Sequence, residues 1–153
     1  MGDIKQRSKK FVYRTTVSWI KEKRGVLSSS SKLTFEVATP PEFKGHKGIW
    51  TPEDLFVASI NSCIMTTFLY YAEKERLEFL NYESEAEGVL EKLENEFMFS
   101  KIYIKPKIVI VSSNQIKKTE EILRYAEENC LISNSVKSKI KIIPDIIEFR
   151  GEK

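Results

Sequence analysis

The chain is predicted to be an α+β protein in which helices cover antiparallel sheet, in the order strands, long helix, strands, helix, strand. Three observations predict it. Apolar and polar residues alternate in several short runs, which is the period of a strand. A long apolar run, Leu55 to Ala72, follows a clear helix-start signal. A second helical pattern, Gln115 to Cys130, separates further strand-like stretches.

The elements follow in order. Phe11, Tyr13, Thr15, Val17 and Trp19 share one face at strand spacing. Arg24-Gly25 reads as a turn. Leu33, Phe35 and Val37 alternate with Lys32, Thr34 and Glu36, so a strand facing one core is expected there. Between Pro40 and Trp50, prolines and glycines without periodicity predict a loop. Thr51 suits an N-cap, Pro52 the first helical position, and Glu53 and Asp54 the positive end of the helix dipole. The helix should run to about Arg76. Its apolar residues fall on nearly every side, so burial almost all round is expected.

Beyond it, Glu83, Glu85 and Glu87 alternate with Ser84, Ala86 and Gly88. That predicts a strand with a charged outer face and small inner side chains, which lets a helix pack close. Ile102, Ile104, Ile108 and Ile110 continue the sheet, with Pro106 expected at an edge or a bulge. Ile116, Ile122, Leu123 and Ala126 mark the second helix. Lys139 to Phe149 returns to strand, interrupted at Pro144.

A length of 153 residues suits one domain with a sizeable core, and a single domain over 1–153 is expected. Hydrophobic residues make up 41% and charged residues 31%, the balance of a globular chain. The 25 basic and 22 acidic residues leave a net charge of +3, too even to argue for nucleic acid. Lys5 to Lys10 is the only basic cluster, read as a solvated lead-in to the first strand. The first residues lack the apolar core of a secretory signal, so a cytoplasmic protein with reduced thiols is expected. Leu55 to Ala72 is long enough to raise a membrane question, but it carries Ser59, Asn61, Ser62, Thr66 and Thr67. A buried central helix is the better reading, and no membrane partner is expected. That helix is too apolar for one small sheet to cover, which predicts a symmetric dimer.

The chain has two cysteines, one in each helical pattern. Cys63 lies mid-helix, where a free cysteine often serves as a small hydrophobe. Cys130 lies at a helix exit and is expected to be the better exposed. Reactivity requires a thiolate, and a thiol pKa of about 8.5 must be lowered by a cation, a helix N-terminus or a hydrogen-bond donor. Cys63 is twelve residues beyond Thr51, too far for the helix N-terminus to help. Arg24 is a candidate cation, and an ordinary surface arginine is the plainer reading of it. Zinc would need four ligands, whereas the chain offers two cysteines and His46 without close-spaced pairs, so no metal is expected. His46 is also the only candidate imidazole base for a Cys-His hydrolase. No phosphate-binding or dinucleotide glycine pattern is present, and no cofactor is expected.

Thr51-Pro52-Glu53-Asp54-Leu55 followed by Cys63, together with Cys130 in Ala126-Glu127-Glu128-Asn129-Cys130-Leu131-Ile132-Ser133, resembles the OsmC/Ohr family of thiol-dependent organic hydroperoxide reductases and their relatives. Arg24-Gly25 is similar to the family's arginine turn, and the resemblance covers nearly the whole chain. It implies an OsmC-like fold and an intertwined homodimer with two sites at the subunit interface. By that resemblance Cys63 is the peroxidatic thiol and Cys130 the resolving thiol. Arg24 stabilises the thiolate and Glu53 orients Arg24. The implied activity is reduction of organic hydroperoxides in oxidative-stress defence, with a sulfenic acid and then a disulfide as intermediates. A dithiol, carried by a lipoylated protein in the best-known members, restores the pair. Two departures stand out: the residue after the second cysteine, commonly proline in the family, is Leu131, and Phe43 to Trp50 is closer to the broader OsmC-like group.

Two other readings stand beside this one: a protein that binds a small apolar ligand or senses redox state without efficient turnover, and a thiol-transfer or hydrolytic enzyme using Cys63 alone. Helix geometry adds one expectation. Ten residues separate Glu53 from Cys63, about 15 Å along a straight axis. Glu53 is therefore expected to serve Cys63 of the partner subunit.

Overall fold

A computed structural model describes residues 9–151, so all but the last two residues of the basic stretch Lys5 to Lys10 lie outside the described residues. Two compact units meet at the Glu53–Asp54 bond.

The N-terminal unit is a three-stranded antiparallel sheet, β1 (Thr16–Lys21), β2 (Arg24–Ser28) and β3 (Phe35–Ala38), with β2 in the middle. The β1–β2 turn lies at Glu22-Lys23, two residues before the expected Arg24-Gly25. Glu22 takes the left-handed conformation with φ 50°, and its carbonyl accepts the Trp19 indole N–H at 2.9 Å. Arg24 instead opens β2, paired with Lys21. Gly25 is there for closeness rather than for turning: a Cβ would come within 3.0 Å of the Ser18 carbonyl oxygen. β1 begins at Thr16, later than the alternation from Phe11 suggests, because Thr16 opposite Ser28 is the last register pair β2 can provide. The loop to Trp50 contains one 3-10 turn, Pro41–Phe43. Its return is held by His46 N–H to the Thr39 carbonyl and Ala38 N–H to the Trp50 carbonyl, both at 2.9 Å.

The long helix, α1 (Pro52–Lys74), lies in the C-terminal unit but for its first two residues, and it ends close to its expected limit. Its buried residues are Ile60, Ile64, Phe68 and Ala72, a stripe at four-residue spacing. Burial all round is not what one chain achieves: Tyr70 is 61% exposed and Leu69 39%, because a single sheet can cover only one stripe. By length and composition α1 could cross a bilayer, a test that the core helix of a globular protein also passes.

β4 (Phe79–Leu93) and β5 (Glu96–Ile110) form a long antiparallel hairpin. The helix α2 (Ile116–Asn129) then returns the chain to β6 (Lys139–Ile142) and β7 (Asp145–Glu148), which both pair with β5 in parallel. The sheet is therefore mixed rather than wholly antiparallel, since a helical crossover brings a strand back in the same direction. Pro106 sits in the central strand, not at an edge or a bulge. β6 pairs with Lys101–Ile104 and β7 with Lys107–Ile110, so the proline falls where the neighbouring strand is interrupted. Its missing N–H is needed by no ladder partner there. The interruption is at Ile143-Pro144, where the sequence marks it.

Ile102, Ile104, Ile108 and Ile110 are fully buried on the inner face of β5. They build two clusters. Ile108 and Ile110 pack with Phe68 of α1 and with Ile122, Leu123 and Ala126 of α2. Ile102 and Ile104 pack with Ile60, Ile64 and Cys130, with Cys63 against the same cluster.

Candidate functional site

The second cluster brings the two thiols together. Cys63 is one residue before the buried Ile64, so the contact of Ile60 and Ile64 with β5 directs it toward the cluster that holds Cys130. Cys130 ends α2 with extended backbone angles, φ −68° and ψ 113°. The chain then turns through Leu131 and Ile132 into a 3-10 turn, Ser133–Ser135. That turn folds back over the cysteine. Ser133 N–H donates to Cys130 Sγ at 3.4 Å, and Asn134 N–H to the Cys130 carbonyl at 3.0 Å. Cys130 is consequently fully buried and Cys63 is the partly exposed thiol, the reverse of the expectation drawn from a helix exit. The backbone past the helix end, rather than solvent, covers it.

Both cysteines are free thiols. Burial opposes ionisation of Cys63, but hydrogen bonds from the Cys130 thiol, the Ile132 N–H, the Thr67 hydroxyl and the Leu131 N–H outweigh it, and its pKa lies below the ordinary 9.0. Cys130 moves the other way. Burial raises its pKa, and its role as donor to Cys63 raises it further, against opposing bonds from Ser133. One sulfur is thus poised to ionise while its neighbour holds a proton toward it. Thr67 stands one helical turn after Cys63, with Oγ1 4.0 Å from Sγ and donating to the Cys63 carbonyl at 2.8 Å. All of these groups belong to the C-terminal unit.

The N-terminal unit has its own concave surface, an open groove of about 470 Å³ lined by residues that include Val17, Trp19, Arg24, Val37 and Pro52. Arg24 Nη2 donates to Glu36 Oε2 at 2.7 Å. The carboxylate that Arg24 bonds is therefore Glu36, across the β2–β3 ladder, and not Glu53. Arg24 Nε and Glu53 Oε2 are both buried without a hydrogen-bond partner among the described residues. Such groups cost free energy unless something reaches them. His46 Nε2 lies 3.3 Å from Glu22 Oε2, tying its loop to the β1–β2 turn. Among the described residues no three His, Cys, Asp or Glu side chains are grouped as metal ligands.

Sequence reading missed Thr67, Glu36 and the backbone of the turn after Cys130. Thr67 was detectable, since i and i+4 share a helix face. Glu36 required the β2–β3 register, and backbone donors leave no trace in side-chain identity.

The sequence profile of the OsmC-like protein family matches residues 45–145. The uncharacterized protein YmaD of Bacillus subtilis (strain 168) is 22% identical over 121 residues, covering 77% of this chain and 80% of that protein. Among solved structures, an OsmC-like protein of unknown function from Vibrio cholerae is similar, with a TM-score of 0.80 and 23% identity over 90% of this chain and all of that one. An organic hydroperoxide resistance protein from Elizabethkingia anophelis is also similar, with a TM-score of 0.73 and 18% identity over 93% of this chain and 99% of its own.

Proposed function

The chain belongs to the family of OsmC-like proteins, and from that premise we propose that it is a thiol-dependent peroxidase that reduces organic hydroperoxides through Cys63 and Cys130. The observation that carries this reading is the adjoining pair of thiols with opposite displacements, Cys63 toward thiolate and Cys130 toward thiol. The thiolate is the nucleophile. Its sulfur attacks one oxygen of the hydroperoxide, the O–O bond breaks, and the leaving alkoxide takes a proton and departs as the alcohol. Cys63 becomes a sulfenic acid. The Cys130 sulfur, losing its proton, attacks that sulfur and expels water, which forms the Cys63–Cys130 disulfide. A dithiol reductant then attacks the disulfide and restores both thiols by exchange. The family resemblance suggests a lipoylated protein as its carrier. The reading includes a single OsmC-like domain over 1–153, a cytoplasmic setting that keeps the resting thiols reduced, and a homodimer in which Arg24 and Glu53 complete the site around the thiolate. The unpartnered Arg24 Nε and Glu53 Oε2 support that last point, because both are groups waiting for a partner.

The test is turnover of cumene hydroperoxide with a dithiol reductant. The expected result is steady consumption, abolished in Cys63→Ser and slowed in Cys130→Ser, where the dithiol must reduce the Cys63 sulfenic acid directly. Undiminished turnover in Cys63→Ser would sink the reading.

A further inference from the structure

The two sulfurs differ in how a reagent can reach them. Cys63 is partly exposed, and its helix neighbours Ser62 and Thr66 are short and exposed. Ser62 donates its hydroxyl to the Ala58 carbonyl at 2.7 Å and Thr66 to the Cys63 carbonyl at 3.1 Å, so both side chains lie back on α1. Cys130 is fully buried among Ile60, Ile64, Ile102 and Ile104. The turn after it closes the remaining side, with Ser133 N–H on Cys130 Sγ at 3.4 Å. That turn is fastened in place by Asn134 Nδ2 to the Glu128 carbonyl at 3.1 Å and Ser135 Oγ to the Leu131 carbonyl at 2.7 Å. Ser133 also carries a hydroxyl that is buried without a hydrogen-bond partner among the described residues.

We propose that the dithiol reductant enters at Cys63, its thiolate attacking Cys63 Sγ of the disulfide, while Cys130 leaves as a thiolate received by the N–H and hydroxyl of Ser133. The Sγ–Sγ bond breaks as a mixed disulfide forms between the reductant and Cys63, and the Cys130 thiolate then takes a proton. The reductant's second thiol, losing its proton, attacks the reductant sulfur of the mixed disulfide and expels the Cys63 thiolate. The dithiol is thereby oxidised to a disulfide and both cysteines are reduced. Access selects this course, since the rate of exchange depends on which sulfur can be approached. Attack on Cys130 would have to pass the isoleucines or the fastened turn. Leaving-group strength pulls the other way, because Cys130 holds its proton more tightly than Cys63. Part of that hold comes from the Cys63 sulfur as acceptor and as charge, and it vanishes once Cys63 is bonded to the reductant. A buried hydroxyl without a partner costs free energy, and a thiolate leaving beside it is the acceptor it lacks. The inference deepens the peroxidase reading and rests on it for the disulfide and its reductant.

The experiment forms the disulfide in the unaltered chain with diamide, so no hydroperoxide is needed. Mercaptoethanol is added, and early samples are quenched with acid and N-ethylmaleimide, digested and read by mass. The mercaptoethanol adduct is expected on the Cys63 peptide and the maleimide on Cys130. An adduct on Cys130, equal adducts on both, or no disulfide with diamide overturns the proposal. Ser133→Ala keeps the N–H and removes the hydroxyl. Reduction of its preformed disulfide by dihydrolipoamide is expected to slow about tenfold, the order of one hydrogen bond to a charged group. Alkylation of its reduced Cys63 by iodoacetamide is expected to keep its rate, and Ser133→Thr to restore the reduction. Should Ser133→Ala fail to fold, Ser133→Gly takes its place. Undiminished reduction without the hydroxyl overturns the role of Ser133. A Cys63 adduct in a chain that turns over no hydroperoxide keeps this inference and removes the peroxidase reading.

Discussion

At the scale of residues, the polar groups left inside the protein say most about its chemistry. Burial opposes ionisation of Cys63, yet its pKa lies below the ordinary value, and Cys130, Thr67 and the backbone of the turn after Cys130 lower it. Tyr82 offers a different test. Burial pushes its phenol up to about 12 from 10.0, against a smaller opposing effect of the Ser84 hydroxyl. The folded state therefore keeps the proton that the unfolded chain releases above pH 10. This contribution is fully present below pH 10 and is lost as the pH rises through about 12. Two units correspond to about 3 kcal/mol at most. Urea unfolding across that range is expected to show the loss, and Tyr82→Phe to flatten it. Equal slopes in the two proteins would refute the assignment.

At the scale of elements, the inner face of β4 carries small residues because α1 lies against it. A Cβ on Gly88 would meet Val57 Cγ2 at 2.6 Å and Phe99 Cε1 at 2.9 Å. Gly88→Ala is expected to cost about 1–3 kcal/mol by overpacking, although alanine suits a strand better than glycine does. The check is a lower urea midpoint with the slope unchanged. A midpoint at or above that of the unaltered protein would show that Val57 and Phe99 give way freely. The alternation Ser84, Ala86, Gly88 makes this closeness legible in the sequence, as the Thr51-Pro52-Glu53-Asp54 signal does the start of α1. The position of Pro106 was not legible. Proline marks a missing donor, and only the split of the neighbouring strand into β6 and β7 reveals where that donor is not needed.

At the scale of the molecule, one chain leaves much apolar surface open. Trp19 is 77% exposed in the N-terminal sheet, and Tyr70 stands out from α1. Exposed aromatic residues in such numbers mark a surface that another chain covers, which supports the proposed dimer. α1 is continuous from Pro52 to Lys74, so Glu53 and Cys63 of one chain stay about 15 Å apart along its axis. Glu53 of one subunit is proposed to serve Cys63 of the other, and mixed dimers test it. Chains carrying Glu53→Gln and chains carrying Cys63→Ser are each expected to be poorly active, and activity is expected to return on mixing and exchange, since one site then holds an intact Cys63 and an intact Glu53. No recovery in verified mixed dimers would place both groups in one subunit.

The sequence by itself determined the α+β class, the two helices with nearly their full bounds, the inward and outward faces of β4 and β5, and the resemblance carried by Glu53, Cys63 and Cys130. These are local properties, written in periodicity, capping and spacing, so neighbouring residues suffice to read them. The tertiary structure decided the Glu22-Lys23 turn, the parallel pairing of β6 and β7, the Arg24–Glu36 pair, and which cysteine is buried. It also decided what surrounds the thiols. Each of those depends on groups far apart in the chain or on backbone donors, and a backbone N–H is the same for every residue but proline until the fold aims it at a sulfur.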